Sequence, residues 1–457
     1  MAGFFMIVCK FGGTSVGDRA AIERLVGIVH GRLASRPVVV VSAMSGVTNA
    51  LLGLVEGTTG GDRESARTRL SEIAARHRST AAELGVPDAL EGVLEADVAS
   101  IEAQLDSLAD GAAVDPVRDA IVSYGELWSS HLVAAAMTVA GVPSRWIDVR
   151  TVMRTDARFG RAVVDRQVLD QAAPAVFGPI VEAGVVPVTQ GFLGATADGR
   201  PTTLGRGGSD YSASLLGAAL GAERVEIWTD VDGLMTADPR VVPNARLIEV
   251  ASHHEAAELA TFGAKVLHPS TYAPLIHARI PCVILNSFAP GRPGTTILAG
   301  ASVLPIEGSP VRSIAWKKGI TLINVRATGM LDAVGFLRKL FEAVERHGIS
   351  VDVVATSEVS VSLTIDDPSR LEALCRDLGT LGDVTTASGR AIVAVVGIGL
   401  RTEPGIAGRI FSAVNPINIE VISQGASAIN MTFVIREDQA VGAVQLLHRE
   451  FFPEVAA

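Results

Sequence analysis

The stretch Val8-Cys9-Lys10-Phe11-Gly12-Gly13-Thr14-Ser15 decides the fold. It places a lysine and two glycines at the end of an apolar run, before a helix that we expect to begin near Asp18. Glycines let backbone N–H groups close around an anion, a helix N-terminus adds partial positive charge, and lysine supplies a mobile point charge. The lysine precedes the glycines, unlike in the P-loop pattern. The stretch predicts a strand, loop and helix with an anion site, although a plain tight turn would show the same glycine pair.

Around this stretch, short β-branched runs alternate with longer amphipathic patterns as far as about residue 300. This rhythm predicts an α/β domain with a largely parallel sheet. The predicted strands are 5–8, 37–42, 145–148, 185–189, 225–229 and 282–285, and the predicted helices include 64–84, 89–108 and 211–220. The segment 289–310 is rich in proline and glycine and marks a boundary.

Beyond the boundary, the chain repeats itself with a spacing of about 70 residues. Phe-Glu-Ala-Val at 341–344 returns as Phe-Ser-Ala-Val at 411–414, and each is followed by a β-branched run. Each copy has the pattern of a ferredoxin-like βαββαβ module, and the first adds a strand near 384–387. The second copy ends after Phe452, so we expect its last strand at 311–316, which would insert the first module into the second. The expected domains are 1–300, 301–388 and 389–457.

Composition limits the possible partners. The 457 residues carry a net charge of −10, which argues against a nucleic-acid groove or an anionic membrane surface. No apolar run is long enough to span a bilayer, so we expect a cytoplasmic protein. The three cysteines form no C-x-x-C pair, so neither a disulfide framework nor a zinc site is predicted, and no resident metal is expected. Only 5 of the 39 basic residues are lysines, so a lysine within a motif indicates a position that requires lysine and not arginine.

A second glycine-rich run reads Gly205-Arg206-Gly207-Gly208-Ser209-Asp210 and leads into a helix of small residues. Three glycines cost much backbone entropy, and a simple turn would not need so many. Arg206 could clamp a carboxylate with two hydrogen bonds, and Asp210 could hold an ammonium group or help to position magnesium. We therefore favour a functional loop over a turn.

Further polar groups follow or flank predicted strands. The run 229–240 contains Thr229, three aspartates and Arg240, where α/β sheets bind ligands, although Asp and Gly also stabilise solvated turns. Residues 262–269 hold Lys265, and residues 42–49 form a polar loop. Glu126 interrupts an apolar helix, where the alternative is a surface residue that compensates the helix dipole.

Two phosphate-compatible loops, two isolated lysines and a carboxylate-clamping arginine favour phosphoryl transfer from a nucleotide to a small acid. A carboxylate acceptor is already ionised at neutral pH and needs no general base. Catalysis then requires alignment of two anions and neutralisation of the transferring group by lysine and Mg²⁺. No credible Ser/His/Asp or Cys/His set competes with this interpretation.

The motifs at 10–15, 205–210, 229–230 and 262–269 together resemble the aspartokinases of the amino-acid kinase family, and the repeats resemble ACT domains. The resemblance implies a three-layer amino-acid kinase fold followed by two ACT modules. It also implies transfer of the ATP γ-phosphoryl group to the β-carboxylate of L-aspartate, which gives 4-phospho-L-aspartate for lysine, methionine and threonine synthesis. ATP would be the co-substrate, with Mg²⁺ bound mainly through its phosphates.

Site residues follow from the same resemblance. Lys10 and Asp210 would be catalytic, with Lys10 bridging nucleotide and acceptor, and Glu126 would face the α-amino group of aspartate. The other residues around aspartate would be Ser42, Thr48, Arg206 and Ser209. ATP would contact Gly12, Gly13, Thr229, Asp230, Met235, Arg240, Lys265 and Val266. Met235 stands where many members have tyrosine.

The repeats further resemble lysine-inhibited aspartokinases. The implied effector residues are Met330, Ala333, Phe336, Leu337, Ser350, Val351, Asp352, Ser357 and Glu358. Asp352 and Glu358 suit the ammonium groups of an amino acid, whereas exposed sheet-edge charges are the alternative. Ala333 stands where serine is common in lysine-binding relatives. Paired ACT modules imply a homodimer or a tetramer of such dimers.

Two rival functions remain open at this point. Another member of the family could phosphorylate glutamate, N-acetylglutamate or UMP, although the last two lack the free amino group that Glu126 would bind. Alternatively, the chain could be a non-catalytic amino-acid sensor. The joint presence of Lys10, Arg206, Asp210 and Lys265 argues against such a sensor.

Overall fold

The computed structural model describes residues 6–262, 267, 271–298, 309–327 and 334–453. The chain divides into two compact units. The first unit is formed by the described residues within 1–234, 249–253 and 266–302, and the second by those within 235–248, 254–265 and 303–457. Residues 235–248 and 254–262 therefore belong to the second unit, although they precede the expected boundary at 300.

An eight-stranded sheet organises the first unit, in the order β3-β4-β2-β1-β7-β9-β10-β8. Its strands are β1 (Ile7–Phe11), β2 (Pro37–Val41), β3 (Ser144–Ile147), β4 (Val186–Gln190), β7 (Arg224–Thr229), β8 (Val250–Ser252), β9 (Cys282–Asn286) and β10 (Thr295–Leu298). A separate hairpin is formed by β5 (Leu193–Ala195) and β6 (Pro201–Thr203). Every pairing in the large sheet is parallel except that of β9 with β10. The predicted mostly parallel α/β class is confirmed.

The sequence explains why β1 and β2 are central. Every residue of both strands is buried, and β2 consists of a proline and four consecutive valines. A strand covered on both faces favours such a continuous apolar run over alternation. Lys10 is the one charged residue in either strand, so its burial needs a compensating partner.

Helices fill the connections up to residue 278. They are α1 (Arg19–His30), α2 (Val47–Thr59), α3 (Arg63–Glu83), α4 (Pro87–Ala109), α5 (Val114–Val139), α6 (Arg166–Glu182), α7 (Gly208–Leu220), α8 (His253–Thr261) and α9 (Tyr272–Ala278). The predicted start near Asp18 is confirmed, since the Asp18 side chain caps α1 by accepting a 2.8 Å hydrogen bond from the backbone N–H of Ala21. None of the helices in the described part of the chain is long and apolar enough to cross a bilayer.

The second unit contains a six-stranded antiparallel sheet in the order β12-β13-β11-β14-β16-β15. Its strands are β11 (Val311–Arg326), β12 (Val354–Thr356), β13 (Ser360–Ile365), β14 (Asp383–Gly397), β15 (Val421–Gln424) and β16 (Asn430–Arg436). Four helices accompany them, namely α10 (Phe336–Arg346), α11 (Leu371–Leu378), α12 (Ile406–Ala413) and α13 (Ala440–Phe451).

The two longest strands, β11 and β14, serve both repeats. The second part of β11 pairs with β13 of the first repeat as well as with β14. Its first part, which includes the predicted strand 311–316, pairs among the described strands with β14 alone. β14 pairs in turn with β16 of the second repeat. Register shifts between residues 317 and 322 of β11 separate the two parts. Two hydrophobic cores result, one around Ile323 and Leu363 and the other around Ile314 and Phe433.

Residues 235–248 pack within the second unit. Ala237 and Val242 join the core that contains Ile314. The Thr236 hydroxyl lies 2.9 Å from Nε2 of the buried His448. These contacts explain why the segment belongs with the repeats despite its place in the sequence.

Candidate active site

The site lies where parallel strands end together. β1 lies between β2 and β7, and β2 also pairs with β4, all in parallel. The chain leaves these four strands at Gly12, Ser42, Asp230 and Gly191. Because carboxyl ends of adjacent parallel strands share one edge of a sheet, these loops converge where α/β folds bind ligands.

Lys10 and Asp210 form an ion pair at this edge. Lys10 Nζ lies 2.5 Å from Asp210 Oδ1, and the side chains are only 9% and 15% exposed. Asp210 lies in the first turn of α7, where the helix dipole favours a negative charge. The pair holds a nearly buried ammonium group beside the first glycine loop, since a Cβ on Gly12 would lie 3.6 Å from Nζ.

The first glycine loop is packed closely against its neighbours. The Gly12 N–H donates a 3.1 Å hydrogen bond to the Trp228 carbonyl at the end of β7. A Cβ on Gly13 would lie 3.0 Å from the Ala43 carbonyl oxygen, and the Ser45 N–H donates to the Gly13 carbonyl. A larger residue at 13 would therefore push apart the loops that follow β1 and β2.

The second glycine loop needs each of its glycines. Gly205 and Gly207 have φ angles of 78° and 71°, which disfavour any residue with a Cβ. A Cβ on Gly208 would lie 2.6 Å from the ring of Phe192. Arg206, at the exposed tip, makes no ion pair with any residue that the structure describes, so its guanidinium is available to a ligand.

Glu126 differs from the surface residue considered as the alternative. It lies in the middle of α5, is only 3% exposed, and accepts a hydrogen bond from the backbone N–H of Ala43. Burial outweighs this hydrogen bond and raises the pKa of Glu126 to about 8. Its Oε2 is buried without a hydrogen-bond partner in the described part of the chain. This unsatisfied oxygen is suited to a cationic group on a ligand.

Ser42 and Thr48 belong to the segment that contains Ala43, the residue that contacts Glu126. The Ser42 carbonyl accepts a 2.7 Å hydrogen bond from Ser129 on α5, and its N–H donates to Phe11. Thr48 lies in the first turn of α2 and is half-buried. The loop after β2 is thus tied both to the end of β1 and to the helix that carries Glu126.

Two positioning residues are absent from the sequence-based set. A Cβ on Gly191 would lie 2.6 Å from that of Ser209, so this glycine lets α7 approach the end of β4. Asp119 is buried and accepts 2.8 Å hydrogen bonds from the N–H groups of Gly160 and Thr203, which support the second glycine loop. Two features of the sequence could have indicated these residues. Gly191 follows a predicted strand, and the seven-residue spacing of Asp119 and Glu126 places both on one face of α5.

The residues predicted to hold ATP come from both units. Thr229 ends β7, and its hydroxyl donates to the exposed Asp230 carboxylate. Met235 and Arg240 belong to the second unit, where Arg240 is 87% exposed and pairs with Asp238 at 2.7 Å. Lys265 and Val266 lie outside the described residues.

The predicted effector residues lie in the first repeat. Asp352 is 12% exposed and its Oδ1 lies 2.8 Å from Lys317 Nζ, whereas Glu358 is exposed. Ser357 forms a hydrogen bond with Ser360, and Val351 and Phe336 are half-buried. Ser350 and Leu337 are exposed, and Met330 and Ala333 lie outside the described residues. For Asp352, the alternative of an exposed sheet-edge charge is wrong.

Comparisons with known proteins identify the family. Residues 5–286 match the model of the amino acid kinase family, and residues 323–375 and 393–451 match that of the ACT domain. Lysine-sensitive aspartokinase 3 of Escherichia coli is 39% identical over 459 residues, which cover 98% of this chain and 99% of the relative.

Two solved structures are also similar. E. coli aspartokinase III in complex with aspartate and ADP has a TM-score of 0.84 and 38% identity, over 98% of this chain and all of that one. The same enzyme with lysine and aspartate has a TM-score of 0.83 and 40% identity, over 98% and 99% of the two chains. This chain therefore belongs to the aspartokinases of the amino acid kinase family and carries ACT domains.

Proposed function

We propose that the chain transfers the γ-phosphoryl group of ATP to the β-carboxylate of L-aspartate, and that an end-product amino acid, lysine in the first instance, inhibits it at the ACT modules. The observation that carries the proposal is the buried Lys10–Asp210 pair between two glycine loops. Family membership and the unpaired Glu126 oxygen support the same conclusion. The product would be 4-phospho-L-aspartate, at the head of lysine, methionine and threonine synthesis.

The residues of the first unit account for the main demands of this reaction. Two anions must approach, so a fixed positive charge is needed where negative charge is shared in the transition state. Lys10 supplies it, and Asp210 keeps the ammonium group in place. Glu126 would bind the α-amino group of aspartate, Arg206 would bind a carboxylate, and Ser42, Thr48 and Ser209 would complete the contacts with the substrate.

Magnesium fits this arrangement as a companion of ATP. Among the residues that the structure describes, no three or more His, Cys, Asp and Glu side chains converge on a common point. A hard cation that keeps water and phosphate ligands needs only one or two carboxylates from the protein. Asp210 is the carboxylate located at the glycine loops, and the bound ion would neutralise phosphate charge there.

Other parts of the proposal rest on the sequence resemblance. ATP contacts are proposed for Gly12, Gly13, Thr229 and Asp230, and also for Met235, Arg240, Lys265 and Val266. As sequence domains we propose 1–300, 301–388 and 389–457, with residues 235–248 and 254–262 of the first domain belonging to the second structural unit. We further propose a homodimer formed through the ACT modules or a tetramer of such dimers, and a cytoplasmic location. Light scattering of the purified protein tests the assembly, since a monomeric mass would contradict it.

The activity is tested by trapping the acyl phosphate with hydroxylamine. Purified protein with ATP and Mg²⁺ should form hydroxamate with L-aspartate and not with L-glutamate. Preference for glutamate would favour the rival kinase. Absence of hydroxamate with any amino acid would instead favour the non-catalytic sensor. Inhibition by added lysine, threonine or both tests the regulatory part.

A further inference from the structure

An ammonium group of the chain itself already lies against the proposed effector residue Asp352. Lys317 Nζ lies 2.8 Å from Asp352 Oδ1 and 2.7 Å from Asp366 Oδ2. The Lys317 side chain is 23% exposed, and Asp366 is the most open of the three at 44%. The sequence alone assigns no role to Lys317 or Asp366.

The three groups come from separate segments that the backbone holds in place. Lys317 lies in β11 at the register shift that separates the two repeats. Asp352 precedes β12, and its N–H donates a 3.0 Å hydrogen bond to the Thr364 carbonyl. Asp366 directly follows β13. The cluster is therefore a product of the folded sheet and not of local sequence.

The charges in this cluster are incompletely matched. Burial lowers the pKa of Lys317, but hydrogen bonds and charges from Asp352 and Asp366 more than offset it, so the pKa is raised overall. Burial raises the pKa of Asp352 despite the nearby ammonium group. In addition, Asp352 Oδ2 is buried without a hydrogen-bond partner in the described part of the chain. One oxygen of Asp352 is thus occupied by Lys317, and the other still lacks a donor.

We propose that Lys317 is an internal competitor of the effector, an intramolecular counter-ion whose hold on Asp352 sets how tightly an amino-acid ammonium group binds. This inference rests on the proposed function, which places Asp352 in the effector site. A carboxylate shared with Lys317 attracts an incoming cation less strongly than a free one. Asp366 takes part by drawing the Lys317 ammonium group partly away from Asp352.

The test is calorimetric titration of the full-length protein with L-lysine, comparing Lys317→Met with Lys318→Met. The neighbouring Lys318 is exposed and makes no ion pair with the described residues, so its variant removes the same formal charge without touching the cluster. Lys317→Met should bind lysine about tenfold more tightly than the wild type, while Lys318→Met should bind like the wild type. Asp366→Asn should weaken lysine binding, because Lys317 then pairs with Asp352 alone.

Lys317→Met leaves two acidic groups facing each other, which could impair folding. The double variant Lys317→Met/Asp366→Asn removes that repulsion and should still bind lysine more tightly than the wild type. Lysine binding detected only after Lys317 is removed would also support the proposal. Equal affinities in Lys317→Met and Lys318→Met, weaker binding in both Lys317 variants, or no binding by any variant would overturn it. Hydroxamate formation without lysine reports separately on the proposed kinase reaction.

Discussion

Each unit of this aspartokinase pairs a lysine with an aspartate, but the surroundings of the two pairs differ. Lys10 and Asp210 lie at the carboxyl edge of a parallel sheet, beside loops whose glycines pack closely against neighbouring groups. Lys317 lies in an antiparallel sheet between two aspartates. A lysine beside an anion-binding loop offers its charge to phosphate, whereas a lysine shared by two carboxylates occupies a place suited to another cation. We therefore expect the same kind of ion pair to have opposite uses in the two units, set by its neighbours.

The largest expected effect tests the first pair. Lys10→Arg should lower kcat for hydroxamate formation by about 100-fold to 1000-fold, because the planar guanidinium cannot replace a compact ammonium group at a crowded anion site. Circular dichroism should show retained folding. The exposed Lys339 provides the control Lys339→Arg, which should keep wild-type kcat. Near-normal turnover by Lys10→Arg would contradict the importance of lysine chemistry at this position.

Glu126 extends the comparison to a buried carboxylate that has no lysine beside it among the residues that the structure describes. Glu126→Gln should reduce kcat/KM for aspartate by about 100-fold, because the α-amino group loses a buried charged partner. In the wild type, the KM for aspartate should fall as pH rises towards about 8, since Glu126 must be ionised to bind an ammonium group. The variant should lack this dependence. An unchanged KM at all pH values would place the amino group elsewhere.

The second pair is tested at its acidic member. Asp352→Asn should raise the lysine concentration needed for half-inhibition by about tenfold, because an amide cannot supply the charge that the effector's ammonium group meets. Asp367→Asn alters an exposed aspartate close by in sequence, so it is the matched control and should be inhibited like the wild type. Full lysine sensitivity in Asp352→Asn would remove Asp352 from the effector site.

The smallest expected effect concerns stability. Burial holds the folded-state pKa of Glu126 near 8, above the ordinary value of 4.5, so the folded state binds more protons than the unfolded state between these pH values. Glu126 therefore costs stability progressively as pH rises from about 4.5 to 8. Glu126→Gln should melt at a higher temperature than the wild type at pH 8, with the gain disappearing towards pH 4.5.

A melting comparison across this pH range checks the sign of that effect. The exposed Glu56 on α2 provides the control, and Glu56→Gln should follow the wild type at every pH. A gain in Glu126→Gln that grows as pH falls would contradict the raised pKa.

Local patterns predicted much of the fold because their causes are local. Four consecutive valines at 38–41 suit a doubly covered strand, and Asp18 marks the start of α1 by capping it. The repeat at 341 and 411 predicted two modules, and its incomplete second copy predicted the strand at 311–316. The glycines at 205–208 predicted an unusual loop because a simple turn does not need three of them.

The remaining features depend on contacts that no local pattern encodes. The Lys10–Asp210 pair joins residues 200 positions apart, and the burial of Glu126 depends on how α5 packs against the loop after β2. Residues 235–248 join the second unit because Ala237 and Val242 enter a core built mainly from residues beyond 310. The sequence assigns no role to Lys317, because its partners Asp352 and Asp366 are brought next to it only by the folded sheet.

The sharing of β11 between the repeats has a consequence for folding during synthesis. Val311 pairs with Gly397, 86 positions later, and the whole first repeat is translated between them. At about 5–20 residues per second, the ribosome needs roughly 4–17 seconds to produce that partner. The apolar residues Val311 and Ile314 therefore remain without their neighbouring strand β14 for about that time. This half of β11 is therefore the segment of the nascent chain on which we expect a chaperone to act.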